Sequence, residues 1–245
     1  MKFISLSQYP GRTGEYYYNN MFKLMNIDAE YTALACTDIK QSIAAAIKQG
    51  VRGISISMPY KQQVIPLLDN VGPGVSLYNS CNTIVNNEQG LTGFNCDISG
   101  MEHVVKSILR SEKINILGSG AMAHMFTTYL TNMGYNNLNL CSRKSDTWLS
   151  RFSASEVIIN ATGMGTISEE SPFAPGQLNP STRLVIDLAI KPNDLQRQCQ
   201  DMAIKYISGR EFYQHQFMTQ FYVYTGQKVE AAQYETLEKQ QYESV

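Results

Sequence analysis

The residues Ile114-Asn115-Ile116-Leu117 run straight into Gly118-Ser119-Gly120-Ala121-Met122-Ala123. An apolar strand that ends on a Gly-rich turn and opens into a helix restricts the fold sharply, because the helix carries the chain back to a parallel neighbour in the same sheet. In that context G-x-G-x-x-A is a dinucleotide fingerprint. The glycines permit the turn and let backbone approach a pyrophosphate, whose charge rests at the helix N-terminus. Without a nucleotide the same residues make a plain strand–helix turn. The next strand, Leu138 to Cys141, leads into Ser142-Arg143-Lys144. A carboxylate there would hold a ribose 2′-hydroxyl, whereas arginine and lysine neutralise a 2′-phosphate. NADP is therefore expected over NAD, with Asp146 keeping NAD open and a solvated basic loop as the bland alternative.

The rest of the chain alternates in the same way. MKFISLS, AEYTALAC and RGISISM read as strands, and YYYNNMFKLMNI and DIKQSIAAAIKQG as helices. CNTIV and LTGF flank NNEQG as a hairpin that would bring Asn82 and Asp97 toward one end. EVIINAT and RLVIDLA are further strands, LQRQCQDMAIKYIS a helix and short strand, and the last two elements are helices. The expected class is α/β, with a first domain to about residue 100, a nucleotide domain from 101 to about 210, and C-terminal helices from 211 returning to the first. The aromatic run Tyr16-Tyr17-Tyr18 and the segment Phe217–Tyr224 read as packing rather than ligand stacking.

Pro59 suits the first position of a helix running to about Leu68. Lys61 would then lie in the first turn, where the helix dipole disfavours an ammonium by roughly 0.3–1 kcal/mol. Lys61, Asn82 and Asp97 form a constellation in which an acid–base pair flanks a hydroxyl, with Asn82 and Ser57 supplying neutral hydrogen bonds. A surface lysine, a turn asparagine and a capping aspartate account for the same residues without any chemistry.

Net charge −1 gives no electrostatic footprint for nucleic acid or anionic membrane. No apolar run reaches the ~18 residues of a membrane span, and the N-terminus turns polar too early for a signal peptide. Cys36, Cys81, Cys96, Cys141 and Cys199 are scattered without paired spacing, and the three histidines are isolated. Reduced thiols in a cytoplasmic protein without a metal centre are expected.

These residues together resemble one family. SISMPYK resembles the N-V-T-V-P-x-K segment of shikimate dehydrogenases, and CNTIVNNEQGLTGFNCD their V-N-T hairpin with G-x-N-T-D. GSGAMA with CSR resembles their nucleotide motifs, Asn160-Ala161-Thr162 their N-A-T segment, and ISGREFYQHQFMTQFYVYTG the segment bearing a substrate-binding glutamine, which falls on Gln216. The resemblance covers nearly the whole chain and implies a two-domain NADP-dependent oxidoreductase with its active site in the interdomain cleft, interconverting shikimate and 3-dehydroshikimate. It implies Lys61 and Asp97 as the catalytic pair, with Lys61 the acid–base residue. It implies Ser57, Asn82 and Gln216 on substrate hydroxyls, and Gly118, Gly120, Ala121, Ser142, Arg143, Lys144, Asn160, Thr162 and Gly209 on the cofactor. Monomer or homodimer fits equally.

Two departures stand out. The family's S-x-S-P, whose serines hold the substrate carboxylate, is replaced by Arg12-Thr13-Gly14-Glu15. Its D-M-x-Y-x-P becomes Asp187-Leu188-Ala189-Ile190-Lys191-Pro192, without the tyrosine. The pattern is similar to the shikimate dehydrogenase-like branch with an altered carboxylate loop, and Arg12 or Thr13 is the expected replacement for the serines. Quinate or another hydroxylated ring acid, and a non-catalytic NADP-binding regulator, are the alternatives.

Overall fold

The computed structural model describes residues 1–72, 74–166, 168 and 170–243. Alternating apolar residues in Lys2–Ser7 (β1), Glu30–Ala35 (β2) and Val51–Ile56 (β3) place β1 between two parallel neighbours. The crossovers are α1 (Thr13–Leu24) and α2 (Ile39–Lys48). Asp38 caps α2 by accepting from the Gln41 N–H, and Gly50 follows its end at φ +71°.

The stretch after β3 corrects the sequence expectation. No α-helix starts at Pro59: a cis Met58–Pro59 bond opens a run of turns that ends in a 3-10 turn, Ile65–Leu67. Pro66 has no N–H to extend an α-helix through this point, and the chain closes only the 3-10 turn there. The polar loop beyond holds a short strand, Asn70–Val71 (β4), and a single helical turn, Val75–Tyr78 (α3). Both are too short for sequence periodicity to reveal.

Thr83–Asn87 (β5) and Gly90–Phe94 (β6) form the expected hairpin, and β5 runs antiparallel to β3. The sheet order is β2-β1-β3-β5-β6-β4. Asp97–Val104 (α4) follows. Ile114–Leu117 (β7), Ala121–Asn132 (α5), Leu138–Cys141 (β8), Val157–Asn160 (β9), Leu184–Asp187 (β10), Asp194–Asp201 (α6) and Lys205–Ser208 (β11) build a second sheet, wholly parallel, in the order β11-β10-β9-β7-β8. Two helices close the chain, Gly209–Thr225 (α7) and Ala231–Glu243 (α8). The fold is α/β with one Rossmann-like parallel sheet. No helix among the described residues is long and apolar enough to cross a membrane.

The chain divides into two compact units, Met1–Ile98 with Gln216–Val245, and Ser99–His215. In the first, one layer is aromatic. Tyr17 stacks on Tyr234 at 4.7 Å and Tyr18 on Tyr31 at 4.2 Å, while Phe22, Phe217 and Phe221 fill the space between. The tyrosine run is thus packing, as its helical spacing suggested. In the second unit every residue of β7, β9 and β10 is buried, as both faces of a parallel sheet must be. All five cysteines are free and buried: Cys36, Cys81 and Cys96 in the first unit, Cys141 and Cys199 in the second. Burial pushes the Cys81 thiol up to about 11, and the Cys96 and Cys199 thiols up to about 12.

Two outcomes follow from this packing. Phe221 is fully buried between Phe22 and Phe217, so Phe221→Ala is expected to cost about 3–5 kcal/mol in urea unfolding of the first unit. In the second unit His103 and His215 stack at 3.6 Å, near Lys106 and Glu211, and burial lowers both imidazoles below the usual 6.5. The unfolded chain then binds more protons than the folded one, so stability is full above about pH 6.5 and falls as pH drops through it. Thermal midpoints should show that fall, and His103→Gln should flatten it.

Candidate functional site

In the first unit four of the expected residues are held by backbone before any side chain is considered. The Asn82 carbonyl accepts from the Ile56 N–H at 2.8 Å, fixing the start of β5 against the end of β3. The Asn82 N–H donates to the Phe94 carbonyl at 3.1 Å, which brings in the end of β6. The Lys61 carbonyl accepts from the Cys81 N–H at 2.8 Å, and the Tyr60 N–H closes a turn on the Ser57 carbonyl at 2.9 Å. Ser57, Lys61, Asn82 and the exit toward Asp97 are therefore set by the hairpin and the turn, not by a helix.

On this frame the Lys61 Nζ donates to an Asp97 carboxylate oxygen at 2.6 Å, with Lys61 mostly and Asp97 almost wholly buried. This contact replaces the helix-dipole account of Lys61. No helix start lies beneath the ammonium, and it stays where it is because Asp97 neutralises it. A buried ion pair is poor evidence for stability as such, since desolvating both charges offsets the attraction. An ammonium and a carboxylate in contact can, however, pass a proton to and from a third group.

Asn82 is buried, and its Oδ1 accepts from the Cys96 N–H at 2.9 Å and the Thr83 hydroxyl at 2.7 Å. Gln216 is also buried, and its Nε2 donates to Gln220 Oε1 at 3.0 Å. Gln220 then reaches back, its Nε2 donating to the Asn82 carbonyl at 3.2 Å and to Thr83 Oγ1 at 2.5 Å, while its Oε1 also accepts from the Tyr18 hydroxyl at 2.7 Å. Lys61, Asp97, Asn82 and Gln216 thus belong to one connected group, with Ser57 exposed on the same turn as Lys61. Sequence reasoning missed Gln220, Thr83 and Tyr18. The only signal was the four-residue spacing of Gln216 and Gln220, which puts both on one face of α7.

Arg12 precedes α1 with its side chain 94% exposed, and its guanidinium pairs loosely with Glu15 at 3.9 Å. Glu15 turns inward, accepting from the Ala33 N–H at 2.8 Å. Gly14 faces the Tyr31 ring closely enough that a Cβ there would lie 3.2 Å from it. The Tyr31 hydroxyl donates to Ser55, and the Ser55 hydroxyl lies 2.9 Å from that of Tyr224. Burial raises the Tyr31 phenol to about 12, so it remains neutral.

In the second unit the strand order changes direction about β7, with β8 on one side and β9 on the other. Crevices for ligands lie outside the carboxyl ends of strands at such a point. Gly118 follows β7 at φ +127°, and a Cβ there would lie 2.9 Å from the Ala161 carbonyl. Both the backbone conformation and the close approach require glycine. Gly120 differs, because a Cβ there would meet nothing within 4 Å. Ala121 begins the 12-residue α5, whose N-terminus has no side-chain cap. An open space before uncapped helix amides suits an anion such as a pyrophosphate.

Ser142 accepts at its hydroxyl from the Lys144 N–H at 3.1 Å, which curls the basic loop after β8. Arg143 pairs with Glu170 at 3.7 Å and lines an open cavity of about 540 Å³ with Trp148 and Arg151. The Arg151 guanidinium lies 4.4 Å from the Trp148 ring centre. Asn160 is buried and fully used: Nδ2 donates to Asp187 at 2.9 Å, and Oδ1 accepts from both the N–H and the hydroxyl of Thr162. It shapes the loop after β9, and a direct bond to a ligand would break one of these contacts. Gly209 starts α7 so close to the Leu188 carbonyl that a Cβ would lie 2.3 Å away, which makes it a packing requirement of the fold. Among the described residues no group of three or more His, Cys, Asp or Glu side chains is placed to hold a metal ion.

Residues 15–84 match the shikimate dehydrogenase substrate binding domain family. The chain is 26% identical over 245 residues to a shikimate dehydrogenase-like protein of Haemophilus influenzae, covering 92% of this chain and 90% of that one. It is also 26% identical over 206 residues to a shikimate dehydrogenase (NADP(+)) of Streptococcus pneumoniae, covering 71% and 72% respectively. Among solved structures, shikimate 5-dehydrogenase of Thermus thermophilus in complex with NADP(H) and shikimate has the same fold at TM-score 0.84 and 19% identity, over 98% of this chain and 99% of that one. Quinate dehydrogenase of Corynebacterium glutamicum in complex with NAD shares it at TM-score 0.82 and 19% identity, over 98% and 99%. Part of its first unit thus matches their substrate binding domain and its whole fold is shared with them, so the chain is similar to shikimate dehydrogenases in sequence and in fold.

Proposed function

We propose that the chain is an NADP-dependent oxidoreductase that interconverts shikimate and 3-dehydroshikimate, and the observation that carries the reading is the 2.6 Å contact between Lys61 and Asp97 beside Asn82. NADP supplies hydride transfer when bound. Its pyrophosphate has the open space at Gly120 and the amides of α5, and its 2′-phosphate has Arg143 and Lys144. In the reducing direction the Lys61 ammonium gives a proton to the oxygen forming on the ring, and in the oxidising direction the pair takes it back. Asp97 holds that ammonium in place, while Ser57, Asn82 and Gln216 orient the other hydroxyls.

A second reading, quinate or another hydroxylated ring acid, is favoured by the loop before α1. The family's serines are absent there, and Tyr31 lies against Gly14. A pure NADP-binding regulator has no need of a proton-transfer pair.

Three variants test the proposal. Lys61→Met should lower kcat by about 10²–10⁴-fold while NADPH still binds; unchanged turnover would remove Lys61 from the chemistry. Gly120→Ala meets no protein atom, so the thermal midpoint should hold while NADPH affinity falls at least about tenfold. Unchanged affinity would place the phosphates elsewhere. Arg12→Ala should raise KM for the acidic substrate if its exposed guanidinium swings onto the carboxylate, and an unchanged KM excludes it.

A further inference from the structure

The direction of each hydrogen bond around Asn82 and Gln216 can be fixed from backbone groups, whose donor or acceptor character admits no choice. The Cys96 N–H can only donate, so the Asn82 side-chain atom facing it is Oδ1. The Asn82 carbonyl can only accept, so the Gln220 atom facing it is Nε2. Gln220 must then present Oε1 at its other end, where the Tyr18 hydroxyl and Gln216 meet it. Gln216 can satisfy that oxygen only with Nε2. Among the described residues, no protein donor reaches Gln216 Oε1 and no protein acceptor reaches Asn82 Nδ2.

We infer that Gln220 is a positioning residue that fixes which way the Gln216 amide faces, turning its Nε2 inward and leaving its Oε1 to accept from substrate, while Asn82, oriented by the Cys96 N–H, presents its Nδ2 as a donor. The inference rests on the proposed reading of Asn82 and Gln216 as groups that meet substrate hydroxyls. A ligand group facing Gln216 Oε1 must therefore bring a proton, which a ring hydroxyl does and a ketone, ether or fluorine does not. A ligand group at Asn82 must bring a lone pair. Tyr18 and Thr83 complete the Gln220 amide, so all four of its hydrogen-bonding positions are occupied. An amide satisfied on every side does not flip without losing several bonds at once.

The test needs no ligand in its first arm. Gln216→Glu places a carboxylate oxygen against Gln220 Oε1, two acceptors face to face, unless the carboxylate takes up a proton and donates it. Its folded pKa is then raised above the usual carboxylate value, so its stability relative to Gln216→Met should decline as pH rises from about 5 to about 8. Lys61, Asp97 and Tyr18 are common to both variants. In a Gln220→Met background burial still raises that carboxyl, so the pH-dependent difference should shrink without vanishing, and the part lost is the coupling to Gln220, which general loosening of the fold would not produce. Gln216→Glu as stable as Gln216→Met at every pH would overturn the inference, because Gln220 would then be donating to Gln216.

The second arm measures binding of shikimate and of analogues with each ring hydroxyl in turn replaced by fluorine. At one position the wild-type protein should lose about tenfold or more, since the buried Gln216 carbonyl is left unpaired. Equal binding of all analogues would overturn the inference at the ligand. No binding of shikimate itself would instead count against the proposed substrate, while the melting series still decides the polarity.

Discussion

The first unit turns on Asn82. Its backbone carbonyl ties β5 to β3 and also receives Gln220, its N–H ties it to the end of β6, and its carboxamide oxygen holds the backbone at Cys96. Removing the side chain would therefore loosen the backbone around it. It would free the segment leading to Asp97, and with it the carboxylate that neutralises Lys61. Lys61 and Asp97 come from two chain segments 36 residues apart, and hydrogen bonds to this one residue set much of their spacing.

The second unit obeys a different constraint. A parallel sheet buried on both faces leaves only the ends of its strands for chemistry. At β7 and β9 those ends are shaped by a glycine pressed on the Ala161 carbonyl and by an asparagine whose amide is wholly used inside the loop. Gly118 and Asn160 make their contacts inside the protein, whereas a Cβ at Gly120 would meet nothing within 4 Å. Glycines two positions apart thus stand in opposite surroundings, one pressed on backbone and one facing open space.

Much of this was legible in the sequence. Alternating strands and helices, the hairpin around NNEQG and the turn after Leu117 each carry local periodicity or turn chemistry that survives folding. What failed was the segment after Pro59, where a proline read as a helix start sits in a run of turns, because Pro66 denies a helix its next turn. The pairing of Lys61 with Asp97 was expected only from resemblance and spacing, since a contact across the hairpin has no local signature. Gln220 and Tyr18 were invisible for the same reason. Their partners lie 138 and 202 residues away, and both types are common in ordinary helices.

The buried thiols have a practical meaning. A protonated cysteine shielded from solvent reacts with an alkylating reagent only when its surroundings open. Three thiols lie in one unit and two in the other, with Cys36 and Cys81 in the core of the first and Cys141 and Cys199 in the core of the second. Without any engineered label, the rate at which Cys81 is modified reports how often the first unit exposes its interior. The rate at Cys199 reports the second, so the chain carries separate clocks for the breathing of its two halves.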